Sequence, residues 1–202
     1  MLKRLLIILL FLVLAITIGA KNYVVCVGIA DYPGTNNDLT LSAQDAVTIR
    51  QLYDKNADAQ TVILINDQAT VKNVTYEINQ LFAKAIGDDV VVFFFSGHGV
   101  PGGFVCYDGL LKYDIVTSAM KKSQARHKIV YADACYAGKA RDSKRRSKQV
   151  SESSVVFFLS SRTTEKSLEK RNWRNSLFTA YLERGLRGGA DSNRDREITT
   201  RE

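Results

Sequence analysis

The run Val90-Val91-Val92-Phe93-Phe94-Phe95, followed at once by Ser96-Gly97-His98-Gly99, decides how this chain folds. An unbroken series of β-branched and aromatic residues, closed by a glycine-bearing turn, reads as a strand buried on both faces. Such strands belong to parallel sheets with helices on each side. A second string repeats the construction: Ile129-Val130-Tyr131-Ala132 is followed by Asp133-Ala134-Cys135-Tyr136-Ala137-Gly138. A His and a Cys thus stand at the carboxyl ends of two strands, where open α/β sheets build their sites. His98 and Cys135 are therefore candidates for a base and a nucleophilic thiol, distant in sequence and adjacent in the fold.

Outward from these strings, strands and helices alternate. Tyr23–Ile29, Thr61–Ile65, Lys128–Ala132 and Val155–Leu159 have strand character, and Leu41–Tyr53 has helical apolar spacing. Thr70 caps a helix predicted through about Ile86, with Val71, Val74, Ile78, Leu81, Phe82 and Ala85 on one face. Further helices are predicted over Tyr113–Lys122 and Ser176–Leu186, the last ending near Gly185, Gly188 and Gly189. Gly97–Gly103 is a glycine-dense loop, and Phe104–Tyr107 forms a short hairpin arm. The alternation predicts the α/β class, a three-layer α/β/α sandwich around a mostly parallel sheet.

The net charge of +7 is concentrated in two places. Lys3 and Arg4 carry two charges, and Lys139–Lys148 carries a net five, so the rest of the chain is neutral. No broad basic face remains for a phosphate backbone, which argues against nucleic acid as a partner. Met1–Arg4 is a basic leader and Leu5–Ile18 an apolar run, followed by small residues at Gly19 and Ala20. Residues 1–20 therefore read as a secretory signal, with export to the periplasm or medium. An uncleaved membrane anchor is the alternative, and only then does a membrane enter. Residues 21–202 form the domain. The three cysteines make no disulfide framework. Cys26 lies within an apolar strand as a small buried hydrophobe, Cys106 is either buried or free, and Cys135 is the natural unpaired thiol. No phosphate-cradling glycine loop follows the first strand, which removes a flavodoxin-like binding domain from contention.

The ordered set of strings resembles the caspase-like cysteine peptidases, in their bacterial and metacaspase branch. Val27-Gly28-Ile29-Ala30-Asp31-Tyr32-Pro33 is similar to that family's opening strand, and Leu41-Ser42-Ala43-Gln44-Asp45-Ala46 to the start of its following helix. The Ser-Gly-His-Gly and Asp-Ala-Cys-Tyr-Ala-Gly strings resemble its histidine and cysteine motifs. Phe158-Leu159-Ser160-Ser161 and the run from Glu165 to Thr179 resemble its small-subunit segment. His127, the other histidine, precedes a strand and matches no motif.

The resemblance implies a cysteine endopeptidase in which Cys135 attacks the scissile carbonyl and His98 protonates the departing amine. It assigns the oxyanion donors to the backbone of Gly99 and Cys135. It also implies a primary pocket lined by Asp45, Asp133 and Ser96. Two carboxylates there select peptide or protein substrates with Arg or Lys before the cut bond. Helix N-terminal stabilisation for Asp45 and a strand-end turn for Asp133 are the structural alternatives, and Asp31 is a lesser acidic candidate. Residues 139–153 are polar, basic and without apolar periodicity, so they are expected to form a mobile loop between large and small segments. An enzyme of basic specificity would find substrates there, at Arg141, Lys144, Arg145, Arg146 and Lys148, which makes self-processing an expectation.

The dyad chemistry requires no cofactor. Calcium-dependent metacaspases carry an acidic cluster after the histidine motif, where this chain has only Asp108 and Asp114, so that site is not transferred. Asp191, Asn193, Asp195 and Glu202 do fall at EF-hand positions 1, 3, 5 and 12, with Glu197 and Thr199 at positions 7 and 9. Arg196 stands where that loop needs glycine, so the calcium reading competes with an Asx-rich turn. The sequence stops just beyond, which suggests a further C-terminal element. The opposing functional class is a catalytically silent caspase-like interaction domain, secreted or anchored.

Overall fold

A computed structural model of the chain describes residues 19–34, 36–135, 155–160, 173–195, 198–199 and 202. Five parallel strands form one sheet: β1 (Asn22–Gly28), β2 (Ala59–Ile65), β3 (Val90–Ser96), β7 (His127–Asp133) and β8 (Val155–Leu159), in the order β2-β1-β3-β7-β8. The helices are α1 (Ser42–Tyr53), α2 (Val71–Phe82), α3 (Tyr113–Lys122) and α4 (Leu177–Arg184). Three short antiparallel strands, β4 (Gly99–Val100), β5 (Gly103–Cys106) and β6 (Gly109–Lys112), make a separate small sheet beside the main one.

Strand alternation builds two cores, one on each face of the sheet. Val25, Val27, Val91, Phe93 and Phe95 pack with Val74, Ile78 and Phe82 of α2 and Val116 and Met120 of α3. Val24, Cys26, Val92 and Phe94 pack on the opposite face with Ala46 and Ile49 of α1 and Phe178 and Leu182 of α4. The result is the three-layer α/β/α sandwich anticipated from the alternation of elements. The apolar run of β3 is continuous because both of its faces are covered: Val91 to Phe95 are all fully buried.

The boundaries differ from expectation in informative places. Thr70 does cap α2, its hydroxyl accepting the Asn73 N–H at 3.1 Å, but the helix ends at Phe82 rather than near Ile86. Ala85 is still buried, yet it reaches the core from a turn, and Ile86 is 63% exposed. The arm predicted as Phe104–Tyr107 is one strand of the three-stranded small sheet, two of whose strands lie in stretches with no apolar pattern. The last helix stops at Arg184 and runs into a wider turn over Gly185–Gly189. Residues 1–18 and 136–154, which include the apolar leader and the whole of the basic loop 139–153, lie outside the described residues, as do 161–172.

Candidate active site

β3 and β7 are adjacent and parallel, with Ser96 directly opposite Asp133. Their chains leave the sheet side by side, and the Gly97 N–H donates to the Asp133 carbonyl at 3.1 Å. His98 and Cys135 each follow two residues later, and both are half-buried. The segments touch at Gly99. A Cβ there would lie 2.1 Å from the Cys135 carbonyl oxygen and 3.1 Å from the Ala134 Cβ. The obstacle is backbone, which cannot swing aside, so only glycine permits this approach. Gly99→Ala is expected to lower peptide hydrolysis by about 10²-fold or more and to cost roughly 1–3 kcal/mol of stability from overpacking. Steady-state kinetics and urea unfolding on the same preparation check both numbers.

The His98 ring is oriented by a backbone atom that the sequence does not flag. Its Nε2 lies 2.7 Å from the Asn37 carbonyl oxygen. A carbonyl can only accept, so the neutral ring carries its proton on Nε2 and keeps Nδ1 as the basic nitrogen. The Asn37 loop is pinned from several sides. Asp38 accepts the Tyr32 N–H at 3.1 Å, and the Asn66 amide oxygen accepts the N–H groups of Ala30 and Asp31 at 2.9 and 3.2 Å.

The three thiols divide as their environments dictate. Cys26 and Cys106 are buried; burial pushes the Cys26 thiol far up and the Cys106 thiol up to about 12. Cys135 is half-buried, the one thiol of the three within reach of solvent.

Asp45, Ser96 and Asp133 come together beneath the motifs. Ser96 is opposite Gly28 in β1 as well as Asp133 in β7, and α1 lays Asp45 over that row. The Ser96 hydroxyl donates to Asp45 Oδ2 at 3.0 Å. Although Asp45 stands in the first turn of α1, its carboxylate serves other elements rather than its own helix end. Asp45 Oδ1 accepts the Asn175 side-chain amide at 2.9 Å and the Ser176 N–H at 3.0 Å. The Ser176 hydroxyl donates to Asp133 Oδ2, while its oxygen accepts the Thr179 N–H at 3.2 Å as the cap of α4. One residue therefore ties both carboxylates to a helix terminus. Asp45 is 0% and Asp133 4% exposed. Burial raises the Asp45 carboxyl to about 6; the donors from Asn175 and Ser176 work against that rise, and the Asp133 charge adds to it. Asn175 and Ser176 carry no sequence signal of this role, since Ser176 reads only as the first residue of the last predicted helix.

Other candidates fall elsewhere. Asp31 is exposed and makes no part of the acidic cluster, and His127 is exposed at the start of β7. Arg141, Lys144, Arg145, Arg146 and Lys148 lie outside the described residues. At the C-terminal end, the Asp195 N–H donates to Asp191 Oδ1 at 3.2 Å and to Asn193 Oδ1 at 2.9 Å, while Glu202 accepts the Thr199 N–H at 3.0 Å. These are the bonds of an Asx-rich turn, with the oxygens directed to the loop's own N–H groups. Among the described residues no group of three or more His, Cys, Asp or Glu is arranged to hold a metal ion.

The comparisons agree with this architecture. The caspase-domain family model matches residues 21–201. The chain belongs to the caspase-domain family. Caspase-1 of Spodoptera frugiperda superposes with a TM-score of 0.66 at 16% identity, over 87% of this chain and 72% of that one. A Geobacter sulfurreducens protein of known crystal structure superposes with a TM-score of 0.65 at 18% identity, over 84% of this chain and 83% of its own. At these identities the likeness is one of fold. No curated protein sequence matches the chain. A caspase-like domain implies the cysteine-peptidase class and protein substrates.

Proposed function

We propose that this caspase-like chain is a cysteine endopeptidase in which Cys135 and His98 form the dyad and Asp45 and Asp133 select Arg or Lys before the scissile bond. The observation that carries the reading is the contact of the two motif segments at Gly99 and Cys135, which brings together the segments bearing the candidate base and nucleophile at the carboxyl ends of β3 and β7. In this mechanism the Cys135 thiolate adds to the carbonyl, and His98 passes a proton to the leaving amine. Water then cleaves the acyl-enzyme. The Gly99 and Cys135 N–H groups receive the oxyanion. Gly99 suits that role because the preceding pair, His98 and Val105, carries a ladder bond. Gly99 therefore belongs to a non-hydrogen-bonded pair, and its N–H points away from β5. The Nε2–H bond to Asn37 supports His98 as base through Nδ1.

The paired buried carboxylates support basic specificity. A carboxylate offers about four lone-pair sites, and Asn175, Ser176 and Ser96 occupy three of those on Asp45. An incoming guanidinium takes the remaining capacity or displaces the Ser176 hydroxyl from Asp133. Export through residues 1–20 and self-cleavage within 139–153 belong to the same proposal, as does calcium at the C-terminal turn as a non-essential addition.

The test is hydrolysis of fluorogenic peptides ending in Arg, Lys, Asp or Ala, with and without calcium, with Cys135→Ala as control. Cleavage confined to Arg and Lys peptides and absent from the variant is expected. Cleavage after Asp would remove the pocket assignment and keep the dyad. Inactivity toward every peptide would return the chain to the interaction-domain reading. Intact mass of the wild type against Cys135→Ala, after incubation under active conditions, tests the processing of the basic loop.

A further inference from the structure

The segment that presents His98 is closed by an unusual ring of hydrogen bonds. In the small sheet Gly99 pairs with Phe104 and Val100 with Gly103, so the next antiparallel pair is His98 with Val105. The Val105 N–H does donate to the His98 carbonyl, at 2.9 Å. The reciprocal bond of an ordinary ladder, His98 N–H to the Val105 carbonyl, is replaced. The Tyr32 hydroxyl is interposed instead: it accepts the His98 N–H at 2.8 Å and donates to the Val105 carbonyl at 3.0 Å. The Tyr32 ring lies against the imidazole, with centroids 4.7 Å apart and planes inclined by 42°. Tyr32 is buried, and a Cβ at residue 97 would fall 2.7 Å from its hydroxyl, so Gly97 makes room for it.

We propose that Tyr32 is a positioning residue for His98, its hydroxyl setting the splay at which His98 leaves the small sheet and its ring backing the imidazole. This rests on the reading of His98 as the catalytic base. Tyr32 acts by constraint. The phenol spans two backbone groups that would otherwise bond directly, so its length fixes the gap between residues 98 and 105. The same ring covers one side of the imidazole, while Asn37 holds its far nitrogen. Ring position and tautomer are thereby determined by two residues of one loop, the segment that follows β1.

Tyr32→Phe removes the hydroxyl and keeps the ring. Two readouts are taken: side-chain ¹⁵N spectra of the imidazoles, simplified by the chain's having two histidines, and kcat and KM across pH. The expected result is a His98 signal moved from one Nε2–H tautomer toward a mixture, with kcat lowered by about 10²-fold, as for a small misplacement of a reacting group. KM is expected to stay within about twofold, because no substrate contact is removed. A merely structural Tyr32 would reduce the fraction of folded enzyme without moving the tautomer or the pH profile. Wild-type tautomer and kcat in Tyr32→Phe would overturn the proposal. Should that variant fail to fold, 3-fluorotyrosine at position 32 keeps the shape and changes the hydrogen-bond strength; unmoved His98 signals there would overturn it equally. If the wild type hydrolyses no peptide, the peptidase reading fails, and the spectra still decide whether Tyr32 orients His98.

Discussion

Cys135→Ala is expected to abolish hydrolysis of Arg and Lys peptides, and His98→Ala to lower kcat by roughly 10³-fold or more. Members of a nucleophile–base pair act as a unit, so removing either forfeits most of the chemistry. The dyad can be checked without a substrate. In the folded chain Cys26 and Cys106 are buried and their thiols held protonated, whereas Cys135 is half-buried. Iodoacetamide near neutral pH should therefore add one carbamidomethyl group per native molecule, rapidly and at Cys135, with three adducts after unfolding. His98→Ala should retain the single site and slow it, because the imidazole that stabilises the thiolate is gone. Peptide mapping locates the adduct. Equal alkylation rates in wild type and His98→Ala would refute the dyad, whatever the specificity turns out to be.

Asp45→Asn is expected to separate function from stability. Cleavage after Arg should fall by about 10²-fold or more, since a buried carboxylate facing a guanidinium is worth several kcal/mol when one partner is lost. Stability should move the other way at high pH. The folded-state carboxyl titrates at about 6, above its ordinary value of 3.8, because burial opposes the charge. A raised carboxyl binds its proton more tightly in the folded than in the unfolded chain. Its contribution is therefore fully present below about 3.8 and is lost as pH rises through about 6. The shift of about two pH units corresponds to ~3 kcal/mol of cost for keeping Asp45 charged at pH 8. An asparagine accepts the Ser176 N–H equally well and its amide can donate to Ser96, so the variant escapes the cost. Thermal unfolding should show it more stable than wild type at pH 8, with the gain gone at pH 3.5. The same carboxyl predicts that the wild-type preference for Arg over uncharged peptides shrinks below about pH 6, tenfold per pH unit at most. A variant that cleaves Arg peptides normally would remove Asp45 from the pocket. Equal destabilisation at both pH values would show that its charge is not held at a cost.

Much of this molecule was legible from local pattern. The two strings ending in His98 and Cys135 announce buried parallel strands because both faces of β3 and most of β7 are covered, and covered strands have no polar alternation. Parallel strands then send His98 and Cys135 out at the same, carboxyl end of the sheet. Local pattern served less well where a few residues change structure by tertiary contact. The strands β4 and β6 have two and four residues, too short for periodicity to register. The end of α2 is hidden because Ala85 continues the apolar spacing after the chain has left the helix.

Apolar runs and what ends them were enough to give the layer architecture and to mark His98 and Cys135 at the carboxyl ends of two adjacent strands. How the polar groups around them are held depends on long-range packing. Ser176 reaches Asp45 across 131 residues and Asn175 reaches it across 130, bonds made because a buried carboxylate must find donors wherever the fold supplies them. The Tyr32 hydroxyl enters a strand ladder 66 residues away, and the Asn37 carbonyl reaches His98 across 61. A periodic pattern encodes which face of an element is apolar; it carries no record of which polar groups meet when faces pack. That pairing is settled by burial, where each polar atom taken from water must be matched by another.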